Sequence, residues 1–212
     1  MSFVNKEAAK KWIAQRAAKE FEDGQVVNLG IGLPSLIPEY VDRSIQINFQ
    51  SENGMVGFCE DRKGGEGYIV NAAGSPAAIQ NDGAFFDSIV SFGMIRGGHV
   101  DVTVLGGYQV DEHGNLANWY IPGQAVSGMG GAMDCVTGAK KVIVTMLHTQ
   151  NGKPKIVREC TLPLTARNQV DRIITEMAVI DVTENGLILR EVNPVYTVAE
   201  VLAVTEARLK LT

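Results

Sequence analysis

Val26-Val27-Asn28-Leu29-Gly30-Ile31-Gly32-Leu33-Pro34 and, a little further on, Ile45-Gln46-Ile47-Asn48-Phe49-Gln50-Ser51-Glu52-Asn53-Gly54 decide the fold class. The first opens on a short, mostly apolar run that reads as a buried strand over 26–29. It then breaks into glycines, and Pro34 is placed to start a helix running to Tyr40. The second alternates apolar and polar from Ile45 to Phe49, the two-residue period of a strand. It delivers Gln50-Ser51-Glu52-Asn53-Gly54 at the strand's end. Strand, helix and strand in succession predict an α/β fold: an open, mixed, largely parallel sheet with flanking helices.

The surrounding segments agree. Trp12, Ile13, Ala17 and Phe21 recur at helical spacing and predict an amphipathic helix over 6–22, stopped by Gly24. Asp87 is placed to cap a helix ending at Arg96-Gly97-Gly98. Val100–Leu105 and Val142–Leu147 read as strands, with further strands at 155–160 and 178–182. Asp111–Asn115 reads as a hairpin-like turn, and 60–67 and 122–131 as polar or glycine-rich loops. Asn185-Gly186 between apolar runs signals a type I′ hairpin. Thr197 with Glu200 matches a capping box opening the last helix. No repeat or linker divides the chain, so 1–212 reads as a single domain.

Composition narrows the class of function. Against 19 Lys and Arg stand 24 Asp and Glu, a net charge of −5, which disfavours a nucleic-acid binder. No apolar run approaches a membrane span. Cys59, Cys135 and Cys160 are isolated and odd in number, the pattern of a reduced, cytoplasmic protein. Glu7, Glu20, Glu22 and Asp23 argue against an N-terminal transit peptide. Of the 23 glycines, 18 fall between Gly54 and Gly138. That concentration suits either a turn-rich sheet or a site where backbone closes on a ligand.

Familiar motifs are absent: no P-loop, no Cys-x-x-Cys, no His-Glu-x-x-His and no Gly-x-Ser-x-Gly. Gly30-x-Gly32 lacks the third glycine of a dinucleotide fingerprint. His99, His113 and His148 have no ligand spacing, so no metal is expected. Ser51-Glu52-Asn53-Gly54 by itself reads first as a turn, since Asn-Gly is a common turn dipeptide. It also fits a carboxylate nucleophile, which needs no general base because glutamate is ionised at neutral pH. Attack on a thioester would need N–H donors for the developing oxyanion, and Gly128-Met129-Gly130-Gly131 could supply them.

Phe49-Gln50-Ser51-Glu52-Asn53-Gly54-Met55-Val56-Gly57 resembles the active-site signature of the B (beta) subunit of family I coenzyme A transferases, the 3-oxoacid and butyrate–acetoacetate type. Further blocks match in the same order. Asn28–Pro34 resembles the family's glycine loop, and Phe92–Asp101, Leu116–Trp119, Gly128–Asp134 and Cys160–Thr165 match later segments. The resemblance runs from about residue 10 to residue 204. It implies a fold related to sugar-phosphate isomerases and ping-pong transfer of CoA between two carboxylic acids. Glu52 would be the nucleophile, passing through an acyl-glutamyl anhydride and a glutamyl-CoA thioester, with the Gly131 N–H as oxyanion donor. Asn28, Gly30, Gly32, Asn53, Gly54 and Gly130 would form the substrate and CoA surroundings. The resemblance implies no metal or redox cofactor, CoA being a substrate, and an A (alpha) subunit as partner in an α2β2 assembly.

Two departures from the family pattern bear on substrate choice. Members often carry a lysine after an Asn-Ala-Gly run, associated with CoA binding. This chain reads Asn71-Ala72-Ala73-Gly74-Ser75 and lacks it. Members also often carry Gly-Pro-x-Pro after the signature, where this chain has Gly57-Phe58-Cys59-Glu60-Asp61. Two other functions suit the same fold: the acyl-transfer subunit of a lyase or decarboxylase using a carrier-bound thioester, and a non-catalytic effector-binding module. Arg96 and the charged 60–66 loop are candidate selectors of substrate, Arg96 being alternatively a partner for carbonyls at its helix end.

Overall fold

A computed structural model describes residues 5–60, 68–126 and 128–211, apart from the Glu60 side chain. Helix α1 (Lys6–Ala17) starts the chain, capped by the Asn5 side chain, and passes into a 3-10 turn over Ala18–Glu20. Then come β1 (Val26–Leu29), β2 (Asn48–Ser51), β3 (Met55–Glu60), β4 (Ala77–Phe85), α2 (Ser88–Arg96) and β5 (Val102–Gly106). Short strands β6 (Gln109–Asp111) and β7 (Leu116–Ala117) precede α3 (Ala132–Gly138), β8 (Lys141–Thr145), β9 (Thr149–Gln150), β10 (Lys153–Pro154) and β11 (Ile156–Val157). The chain closes with β12 (Arg172–Ile174), β13 (Ala178–Thr183), β14 (Gly186–Val192), α4 (Val198–Ala203) and β15 (Leu209–Leu211).

Ten strands form one sheet in the order β15-β14-β13-β12-β8-β5-β1-β2-β3-β4. Its middle, from β12 through β8, β5 and β1 to β2, is parallel, as expected, and antiparallel strands extend both sides. Strands β5 and β8 are buried on both faces, because helices or loops cover both, and β1, β2 and β5 bury the polar Asn28, Gln50 and Thr103 among their apolar residues. Alternation divides them between two cores. Ile143 and Ile174 pack with Val27, Val102, Val104 and the Ile13, Ala14 and Ala17 face of α1. Val142, Val144 and Ile173 face the other way, onto Val110, Leu116, Ile156 and Val201. Glu20 pins α1 to the sheet, pairing with Arg16 (2.7 Å), Lys141 on β8 (2.8 Å) and Arg172 on β12 (2.6 Å).

Several expectations hold to within a residue or two. Asp87 caps α2 through Val90 N–H, Thr197 and Glu200 form the capping box of α4, and Asp111–Asn115 closes the β6–β7 hairpin. Others shift for local reasons. The first helix stops short of residue 22, and Gly24 (φ 80°) serves the turn into β1 rather than a helix cap. The helix from Pro34 is a 3-10 helix over Leu33–Tyr40, since in an α-turn the Pro38 ring would clash with the carbonyl four residues back. The strand expected from Ile45 begins at Asn48. The N–H groups before it are taken by Asp42 Oδ1 (Ser44), the Asp42 carbonyl (Ile45) and Asp23 Oδ1 (Gln46). The β13–β14 hairpin forms at 184–185, but with positive φ on Gly186 (99°) and not on Asn185, so its turn is not type I′. The polar stretch 60–67 lies, but for the backbone of Glu60, outside the described residues.

Candidate active site

Strand β1 pairs with β5 on one side and β2 on the other, so the chain's winding reverses at β1. Open α/β sheets place ligand crevices at the carboxyl ends of strands at such a point. The register sets Asn28 beside Gln50, and one residue past the end of β2 stands Glu52. The turn carrying Glu52 closes with Gly54 N–H on the Ser51 carbonyl (3.0 Å). Gly54 has φ 124°, and a Cβ there would run into the Phe86 carbonyl oxygen. The Phe86 N–H in turn bonds the Gly54 carbonyl at 2.9 Å. Only glycine lets this turn lie flat against the start of α2.

Asn28 is buried and donates through Nδ2 to Glu52 Oε2 at 3.3 Å and to Gln50 Oε1 at 2.8 Å. Gly131, buried at the N-cap of α3, closes on the glutamate from a distant part of the chain. A Cβ on it would lie 3.3 Å from Glu52 Cγ and 3.2 Å from Phe92 Cζ. Gly128 and Gly130, just before it, have φ 92° and 57°. Cys135, one turn into α3, is buried, and burial together with the charges of Glu52 and Asp134 pushes its thiol up to about 12. It stays a thiol at neutral pH. Among the described residues, no group of three or more His, Cys, Asp or Glu could hold a metal ion.

Glu52 opens onto a cleft of about 300 Å³. One wall is apolar, from Leu29, Ile31, Pro38, Phe49 and Phe58, and Gly30, Gln80, Asn71, Ala72 and Ala73 complete it. Parts of both departures from the family pattern, Phe58-Cys59 and 71–73, therefore line this cleft, and no lysine is among the described residues of its wall. The 71–75 loop is tied to the Glu52 turn by Ala72 N–H donating to Ser51 Oγ (2.9 Å).

The structure thus brings Asn28, Gly30, Glu52 and Gly131 together. Gly54 supports the turn from behind. Asn53 points to the Val70 carbonyl (2.8 Å), a structural link. Gly32 and Gly130 do not line the cleft; both are exposed and in left-handed conformations. Arg96 pairs with Asp134 (2.6 Å) with its guanidinium over the Phe92 ring, and so braces α2 against α3. From the sequence, Phe92 falls in a family-like block without a role at the site, and Ser91 is not singled out. Ser91 shares the inward stripe of α2 with Ile95, a polar residue at a core position and so a detectable signal.

The family model for coenzyme A transferase matches residues 10–203, and the chain belongs to that family. Within it, the kinship is with beta subunits. The chain is 48% identical over 207 residues to the probable coenzyme A transferase subunit beta of Bacillus subtilis, covering 96% of this chain and 95% of the relative. It is 50% identical over 201 residues to the acetate CoA-transferase subunit beta of Haemophilus influenzae, covering 94% of this chain and 90% of the relative. The fold matches an acyl-CoA transferase from Escherichia coli O157:H7 with a TM-score of 0.76 and 24% identity. That match covers all of this chain but only 43% of the longer one. No helix among the described residues is long and apolar enough to cross a membrane.

Proposed function

We propose that this chain is the catalytic beta subunit of a transferase moving CoA between a short-chain acyl-CoA and a carboxylic acid, with Glu52 as the covalent relay. The observation carrying this is a glutamate held in a cleft with an amide donor on one oxygen and a glycine backbone against its side chain. The free oxygen of Glu52 attacks the thioester carbonyl, forming an acyl-glutamyl anhydride and releasing CoA thiolate. The thiolate attacks the glutamyl carbonyl carbon, giving a glutamyl-CoA thioester and freeing the first acid. The second acid reverses both steps. Each addition places negative charge on a carbonyl oxygen, where preorganised donors act most strongly. Asn28 Nδ2, 3.3 Å from Glu52 Oε2, and the Gly131 N–H, whose backbone lies against the glutamate side chain, take that role in this reading.

The reaction requires no metal or redox cofactor. Acetate, butyrate, acetoacetate and succinate are the candidate acids, acetate being named for the Haemophilus relative. The partner is an alpha subunit, in an α2β2 assembly, in the cytoplasm. Support for the partner comes from the name "subunit beta" of the relatives and from apolar side chains exposed around the Glu52 turn. Ile89 is 82% exposed, and Phe85, Val90 and Met133 are about half exposed. The chain alone should be nearly inactive.

The test combines the alpha–beta complex with acetyl-CoA, then borohydride or hydroxylamine, and locates the product by mass spectrometry. Modification confined to Glu52 is expected; no adduct on any carboxylate would refute the mechanism.

A further inference from the structure

We infer that Gln50 and Ser91 are positioning residues for Glu52: through a buried chain of hydrogen bonds they force Asn28 to show the glutamate its N–H and not its oxygen. This rests on the reading of Glu52 as the reacting carboxylate. Asn28, Gln50, Ser91 and Thr103 are each at most 2% exposed, so water cannot substitute for any partner. The Ser91 hydroxyl donates to the Ser51 carbonyl at 3.3 Å. With its one proton spent, Ser91 Oγ must accept, and Gln50 Nε2 donates to it at 2.8 Å. That turns Gln50 Oε1 toward β1, where it accepts from Asn28 Nδ2 at 2.8 Å. Asn28 Oδ1 is left facing Thr103 Oγ1, which donates at 3.4 Å. The second amide proton of Asn28 then lies between Glu52 Oε2 and the Gln50 carbonyl, each 3.3 Å from Nδ2.

Every bond in this chain runs in one direction. Reversing Asn28 would set oxygen against oxygen at Gln50 and again at the glutamate, leaving buried acceptors unpaired. Ser91 sits on α2 and Asn28 on β1, so helix and sheet jointly determine the polarity of the donor on Glu52. When thiolate adds to the glutamyl carbon, that donor meets the developing charge. A freely rotating or reversed amide would oppose it.

The test measures the rate of glutamyl-CoA formation from acetyl-CoA in the alpha–beta complex, with kcat and KM, for wild type, Ser91→Ala, Gln50→Met, Asn28→Ala and the double variant Asn28→Ala/Ser91→Ala. Asn28→Ala should cost about 10²-fold, the scale of one lost oxyanion donor. Ser91→Ala should cost about tenfold and Gln50→Met more, in kcat, with KM within about twofold. The double variant should be slower than Asn28→Ala by far less than the tenfold of Ser91→Ala, because Ser91 acts mainly through Asn28 and its 3.3 Å bond to the Ser51 carbonyl only steadies the turn. Unchanged adduct formation in Ser91→Ala, or losses that multiply in the double variant, would overturn the positioning role and leave Glu52 in place. Absence of adduct in wild type would overturn the reading of Glu52, and this inference with it.

Discussion

Gly131 lies against Glu52 so closely that a methyl group on its Cα would sit 3.3 Å from the glutamate's Cγ. Its φ of −84° suits any residue, so the constraint is contact and not backbone strain. Gly131→Ala should therefore fold with a stability loss of about 1 kcal/mol or less. It should lower kcat/KM at least tenfold by displacing the carboxylate by a few tenths of an ångström. Thermal unfolding and steady-state kinetics on the same preparation separate the two effects.

Glu52 is only partly buried and belongs to none of the apolar clusters, so its replacement should spare the fold. Glu52→Gln should reduce turnover to background, since an amide oxygen cannot leave as a carboxylate. Glu52→Asp keeps the charge but withdraws it by about 1 Å, costing about 10²-fold or more. Both should give wild-type circular dichroism.

Gly54 and Gly130 both have positive φ, at 124° and 57°, yet they should respond differently to alanine. At Gly130 nothing lies within 4 Å of the added carbon, so Gly130→Ala should cost about 1–2 kcal/mol from backbone preference alone. At Gly54 the carbon collides with the Phe86 carbonyl, so Gly54→Ala should cost at least about 3 kcal/mol and loosen the turn that holds Glu52. Urea midpoints for the two variants test the contrast.

Acid stability should be lost in two overlapping stages. His148 is fully buried between Thr175 Oγ1 (2.9 Å) and Thr205 Oγ1 (2.8 Å), and burial lowers it to about 4. An unfolded histidine takes its proton near 6.5, so below that pH the unfolded chain binds a proton the folded one refuses. Its contribution is complete above about pH 6.5 and falls by on the order of 3 kcal/mol as the pH drops to 4. Glu20 follows. Burial raises it, but hydrogen bonds from Lys141, Arg172 and Arg16 outweigh that and hold it at about 2. Its contribution is present above about pH 4.5 and is lost toward pH 2, on the order of 2 kcal/mol after screening at the exposed side of the cluster. Unfolding free energy measured from pH 7 to 3 should show both stages, and His148→Gln should flatten the upper one.

Much of this architecture was legible along the chain because its cues are short-range. The strand at Val26–Leu29, the Asp87 cap, the Thr197 capping box and the Ser51-Glu52-Asn53-Gly54 turn are each settled by a few neighbouring residues. Errors arose where a nearby side chain captured backbone donors, as Asp42 and Asp23 do before β2, or where a second proline tightened a helix.

The sequence by itself determined that this is an α/β protein with a carboxylate presented on a glycine turn, and that the carboxylate belongs to a coenzyme A transferase pattern. Tertiary structure alone decided what surrounds it. The pairing of Asn28 with Gln50 across β1 and β2, the arrival of Gly131 beside Glu52, and the reach of Ser91 from α2 into the same hydrogen-bond chain all join distant segments. The sequence pattern can mark Asn28 and Gly131 as belonging to the site and Ser91 as a polar residue on a core face, but which atoms meet depends on strand register and helix packing, which come from burying whole faces at once.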